Sequence, residues 1–484
     1  MIASDDQMIR PSVSGSTPSS DILRHEAGSQ WLEGQSSSMV AALARLVAHP
    51  SYFQADQSNT PFGLAIDNCL DDVLALAREL GLRGYKDPAG LYGYVELPGE
   101  ASANVIGILC HLDVNAPVEV GDWFSDPLVL EQRNGLFYGC GVQQNKGAVV
   151  AALFAMRALQ ESGAPIRHTI RLILGLDANR EWQSVSGYVR QERVPDISFS
   201  PTGTFPVVYA EKRLLQVSLY GPGSNELSIV CGGTFGSVPD RAIYQGKRQK
   251  ALQKRLDSVN FPWYDDNGVT VVLGQPAPAE RCDCAGINAI IRLSQALLSI
   301  GYQHPALGFC SLVVGNDPHV RALLGDIEDA CSGKLTVNLS GLQIDEQESR
   351  IDLDIRIPVT VDIESFRAQL QQALARLGWR YDELRHLPPL HIAESSPLVT
   401  LLSDSYRDIT GDTRRAITSG AASFARSLPN CVSFGALFPE FPNTANQANE
   451  HLALDNLVCG SKIFACALSR LQQIPLGISL GRQH

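Results

Sequence analysis

The chain has little positive charge to offer a polyanion. Its 39 Lys and Arg face 51 Asp and Glu, a formal net charge of −12 over 484 residues, which argues against nucleic acid or an anionic membrane as the main partner. Long apolar runs are missing too. None approaches the roughly 20 residues needed to span a bilayer. The opening stretch MIASDDQMIRPSVSGSTPSSD carries acids, Ser and Pro but no apolar segment of the signal-peptide kind. Nor do the cysteines pair. There are 11, scattered, and Cys282-x-Cys284 has too short a spacer for a zinc knuckle. Together these absences point to a cytoplasmic protein with reduced thiols, working on neither nucleic acid nor membrane.

What is present is ample core material. Apolar residues make up 44% and charged residues 19%, so a full-sized core is possible, and at about 100–200 residues per domain the length suggests two or three domains. The first 37 residues read as a disordered tail. From Met39 to Leu82 the apolar spacing is helical. NVIGILCHLDV (104–114) and HTIRLILGLD (168–177) are apolar, β-branched runs expected to be buried strands, with an apolar helix from Ala148 to Leu159 between them. Strand, helix, strand at this spacing implies an at least partly parallel α/β sheet. Past residue 212 the pattern turns to period two, in LLQVSLYG, ELSIVCGG, KLTVNLSGLQIDE and SRIDLDIRIPV, with helices at 286–301 and 362–378. This predicts an α+β domain at 212–388 inserted into an α/β domain formed by 38–211 and 389–484.

Two local features carry candidate chemistry. His111 and Asp113 stand two apart on a strand, so they share a face. They lie at the strand's C-terminal end, where open α/β sheets place ligands. Downstream, residues 143–147 read Gln-Gln-Asn-Lys-Gly at the start of a helix. The helix dipole favours negative charge there, yet Gln143, Gln144 and Asn145 are neutral, and Lys146 is misplaced unless an anion sits nearby.

In order along the chain, GILCHLDV, GDWFSDPLVLEQRNGLFYGCGVQQNKG, RLILGLDANREW, ISFSPTGTFPVVYAEK, GGTFGSVPDRA, GINA, LDIRIPV, TGDTRRAITSGAASFAR and FGALFPEFPNTANQANEHL resemble the di-zinc dipeptidase and aminoacylase family. The resemblance is greatest to its PepV-like (Xaa-His dipeptidase) branch, and it covers about residues 39–475. It implies a mixed-sheet catalytic domain flanked by helices and an inserted α+β lid. It also implies two zinc ions held by two His and several carboxylates, a Glu general base, and a lid Arg that grips the substrate carboxylate.

Carried over residue by residue, His111 matches the first ligand and Asp113 its orienting Asp. The bridging Asp falls on Gln144, the adjacent Glu pair on Ala178 and Asn179, the next acidic ligand on Thr202, and the distal His on Asn446. The lid His falls near Ala279, the lid Asn on Gly236, and Arg356 keeps the lid Arg position. Neutral amides cannot supply the charge that offsets metal dehydration. The expectation is therefore a site without metal or other cofactor, with His111 and Asp113 as an acid–base pair. Arg356, Gln144, Asn145, Lys146, Asn179, Thr202, Ser423 and Asn446 are the residues expected to bind a peptide-like or amino-acid-like carboxylate.

Three functions stay open: metal-independent condensation, cyclisation or isomerisation in a biosynthetic pathway, with or without a partner protein; a non-catalytic binding or scaffold role; and residual metallo-dipeptidase activity. Structural readings stand beside each residue. His111–Asp113 could be a plain hydrogen bond, Arg356 could pair with Asp354 or Asp352, and the amides could fill vacated metal space.

Overall fold

Helix Gly147–Glu161 is apolar around its whole circumference, and all its residues from Gly147 to Met156 are buried. A helix of that pattern has to lie inside a domain. It packs against helices Ser20–Glu33, Ser36–Val47 and Leu454–Leu471. The computed structural model describes residues 20–54, 60–117, 120–315 and 317–476. Residues 1–19 of the expected tail lie outside these. Residues 20–33 correct the expectation by forming a helix, because Leu32 is fully buried and the Trp31 ring lies 6.2 Å from Phe154.

The chain divides into two units. One gathers residues 1–106, 111–179 and 444–484, and the other 107–110 and 180–443. In the first unit, strands Arg83–Lys86, Gly93–Leu97 and His168–Gly175 pair antiparallel in that order, and strand Ala101–His111 gives this unit its ends, residues 101–106 and 111. Every residue of His168–Gly175 is buried, as its unbroken apolar character predicts.

The second unit contains a mixed strand group and a larger antiparallel sheet. Cys431–Ser433 pairs parallel with Ile197–Ser200 and antiparallel with Val208–Glu211. Ile417–Ser419 and Leu390–His391 both pair with Val208–Glu211, the first parallel and the second antiparallel. The antiparallel sheet has eight strands, and Thr336–Ile344, Glu348–Ile357 and Arg213–Pro222 lie side by side within it. Helices Gln249–Ser258, Ala289–Ser299 and Ile363–Arg376 give their buried faces, among them Leu252, Leu293 and Phe366, to the core on one side of this sheet. The architecture is the expected α/β one, a mixed sheet flanked by helices with a second, α+β part. All eleven cysteines are free thiols. Among the described residues no helix is long and apolar enough to cross a membrane.

Candidate ligand site

The amide-rich turn lies in the first unit. Val142–Lys146 forms a kinked turn just before helix Gly147–Glu161; Gln144 and Asn145 have non-helical backbone angles, and the peptide between them is cis. Gly141 enters it at φ 83°, a value that favours glycine. The turn does have an anion. Glu450 is 2% exposed, and its carboxylate accepts the backbone N–H groups of Gly141 at 3.0 Å, Gln143 at 2.7 Å and Gln144 at 3.0 Å. Burial pushes its carboxyl above the ordinary range, against the pull of these N–H donors.

Lys146 is fully buried and donates from Nζ to the carbonyl of His49 at 2.8 Å. Burial lowers its pKa, while the nearby Cys69, Cys140 and Glu450 oppose the drop. Glu450 lies in the matched stretch FGALFPEFPNTANQANEHL, but no role was carried over to it, because a glutamate in a polar run reads as solvated. The signals available were that stretch and the unsatisfied turn itself.

His111 and Asp113 are 1% and 3% exposed. The His111 Nδ1 lies 3.0 Å from the Asp113 carbonyl and 3.3 Å from its Oδ1. Asp113 Oδ1 accepts the N–H of Ala178 at 2.9 Å, and Oδ2 accepts both the backbone and side-chain N–H of Asn179 at 2.9 Å. Burial pushes the Asp113 carboxyl up, but His111 and the donors from 178–179 outweigh it and hold it below the usual carboxylate range. The His111 backbone N–H donates to Asn145 Oδ1 at 3.3 Å. Strand end, turn and 178–179 loop are thus tied by amides.

Asn446, at φ 61°, donates to Gln144 Oε1 at 3.4 Å and accepts from Asn115 Nδ2 at 3.0 Å. Gln143 is spent on the fold, donating to the His451 carbonyl at 2.8 Å and accepting from the Thr444 N–H at 3.0 Å. Beside this amide ladder is a cavity of 260 Å³ lined by Asn115, Asp122, Trp123, Cys140, Asn446 and Glu450, among others. Burial and then Glu450 push the Cys140 thiol up to about 11, which keeps it an inert thiol near neutral pH. Among the described residues no group of three or more His, Cys, Asp or Glu side chains is placed to hold a metal ion.

The second unit holds the remaining candidates. Thr202 Oγ1 is 3.0 Å from Ser200 Oγ, which donates to the Leu109 carbonyl at 2.7 Å. Arg356 is 4% exposed; it donates to the Asp354 carboxylate from Nε at 2.6 Å and Nη2 at 3.2 Å, and to the Gly420 carbonyl from Nη1 at 2.9 Å. Ser423 donates its N–H to Glu211 at 2.9 Å, and its buried Oγ has no hydrogen-bond partner among the described residues. Ala279 donates its N–H to the Gly236 carbonyl at 3.0 Å, so the two positions where lid His and lid Asn fall adjoin.

The comparisons agree with this architecture. The description "Peptidase family M20/M25/M40" matches residues 107–470. The putative dipeptidase YtjP of Bacillus subtilis (strain 168) is 30% identical over 433 residues, 85% of this chain and 92% of that protein. A putative dipeptidase of Staphylococcus saprophyticus is 26% identical over 86% of this chain and 92% of its own length. Among solved structures, human carnosine dipeptidase 1 superposes with a TM-score of 0.58 at 16% identity, over 93% of this chain and 99% of that one. The dipeptidase Dug1p from Saccharomyces cerevisiae gives 0.56 at 12% identity, over 93% and 99%. At such identities the structural matches speak for the fold.

Proposed function

Since the chain belongs to peptidase family M20/M25/M40, we propose that it is a dipeptidase-like protein that handles a small peptide-like or amino-acid-like carboxylate without a zinc centre. The observation that carries the reading is the donor set. Where the family resemblance implies bridging and terminal carboxylates, this chain has Gln144, Ala178, Asn179, Thr202 and Asn446. The acids nearby are already engaged: Asp113 accepts N–H groups on both oxygens, and so does Glu450. One imidazole with neutral amides does not fit a pair of divalent ions, and a catalytic zinc ordinarily takes three protein ligands.

In this site His111 and Asp113 supply acid–base chemistry. The ring's Nδ1 faces two acceptors, the Asp113 carbonyl at 3.0 Å and its carboxylate at 3.3 Å, an arrangement that suits a proton on Nδ1 and leaves Nε2 for proton transfer. Such a pair serves condensation, cyclisation or isomerisation of a peptide-like carboxylate in a biosynthetic pathway, and the free thiols suit the cytoplasm. A second reading, binding without turnover, is favoured by one observation: the His111 ring is 1% exposed. The relatives' names favour a third, hydrolysis of small peptides.

One experiment separates them. The purified protein is offered a panel of dipeptides and amino acids, with binding followed by calorimetry and products by mass spectrometry, with and without a chelator. Chelator-insensitive turnover lost in His111→Ala is the expected result. Binding that gives no product supports the second reading. Hydrolysis that the chelator abolishes overturns the proposal.

A further inference from the structure

An acidic chain carries one dense basic segment. Lys247, Arg248, Lys250, Lys254 and Arg255 fall within nine residues with no acid among them, in a protein of net charge −12. All five are exposed. They lie on and just before helix Gln249–Ser258, whose Leu252 and Leu256 are fully buried. Lys250 and Lys254 stand four residues apart on the helix, on the side opposite those leucines, and Lys247 lies two residues before its start.

The two arginines are pinned by uncharged groups. Arg248 stacks 4.5 Å over the Tyr302 ring and donates to the Ile300 carbonyl, and Arg255 donates to Ser299 Oγ. Among the described residues no ion pair engages any of the three lysines. Of the acids around the segment, Asp257 on the same helix accepts from Trp263 Nε1, and Asp265 accepts from Gln253 and from the Gly268 N–H. Lys247, Arg248, Lys250, Gln253 and Asp265 line an open groove of 630 Å³.

Like charges at i, i+4 on one helix face repel one another. We propose that this basic segment docks an acidic helix of a partner protein, one that presents carboxylates at i and i+4. Carboxylates one turn apart on such a helix match the spacing of Lys250 and Lys254. A long polyanion would have to run on over the acidic remainder of the chain, whereas a short acidic helix meets only the lysines. The inference is independent of whether the ligand site is catalytic.

The test uses the full chain and a labelled helical peptide with Glu at i, i+4, i+7 and i+11, followed by fluorescence anisotropy. Binding should weaken steeply with salt, because the screening length falls from about 10 Å at 0.1 M to about 3 Å at 1 M. The variant K247Q/K250Q/K254Q should bind at least about tenfold more weakly, through a slower on-rate above all. The variant R190Q/R281Q/R376Q removes the same charge from scattered exposed positions and should bind as the parent does. Equal binding of a scrambled peptide of the same composition would overturn the proposal, as would equal loss in the two variants. Tighter binding of a short RNA through the same lysines would make the partner a nucleic acid and would also overturn it.

Discussion

The carboxylate of Glu450 accepts the backbone N–H of Gln144 at 3.0 Å, although 306 positions separate the two residues. The same carboxylate takes the N–H groups of Gly141 and Gln143. A turn whose own side chains are neutral amides therefore draws its negative partner from the far end of the chain. Glu450→Gln keeps the shape but turns charge-assisted bonds into neutral ones and faces an N–H with an amide nitrogen. The variant should lose roughly 1–3 kcal/mol of stability. A urea midpoint unchanged from the parent would show that the turn does not depend on the charge.

Asp113 gives a pH signature. Its folded pKa lies below the unfolded value of about 3.9, so its contribution is complete above that value and is lost as pH falls through the folded pKa. Asp113→Asn should therefore unfold at a lower temperature than the parent near neutrality. The gap should close as pH falls below about 4. A constant gap from neutral to acid pH would assign the loss to packing rather than to the carboxylate.

Arg356 and Asp354 form a buried pair, with side chains 5% and 0% exposed. Arg356→Ala leaves the Asp354 carboxylate buried with only Gln216 Nε2, at 3.2 Å, to partner it among the bonds described. The expected cost is about 3–5 kcal/mol, read from chemical denaturation. A loss under about 1 kcal/mol would mean that Arg356 does not hold Asp354 in solution.

Metal affinity should be recoverable by restoring donors. Gln144 and Asn446 touch at 3.4 Å, and Asn145 beside them accepts the His111 backbone N–H, so Gln144→Asp with Asn446→His puts a carboxylate and an imidazole side by side on the turn that holds the His111 strand end. Three potential ligands should raise zinc affinity at least about tenfold over the parent. Equal affinity by competition with a chromogenic chelator would show that the amides were not what barred the metal.

Much of this was readable from residues, and the gaps have physical reasons. Residues 105–110 of strand Ala101–His111 and most of helix Gly147–Glu161 were legible because burial leaves a long apolar run. The pairing of Arg356 with Asp354 was one of two readings of residues two apart on a strand, and the structure realises it. Ser20–Glu33 was not legible, since its mean apolarity is low and its order comes from tertiary packing around Trp31 and Leu32. Short strands such as Ile417–Ser419 and Leu390–His391 have too few residues to show a period. Glu450 escaped because a buried carboxylate in a polar stretch is defined by backbone donors, which no side-chain pattern records.

The central claim is a ligand site that works without zinc, and metal content measures it directly. Protein purified without chelator and analysed by elemental mass spectrometry should carry well under about one zinc per chain, because one imidazole with neutral amides binds weakly. One or two tightly held equivalents, removed only by a strong chelator, would contradict it.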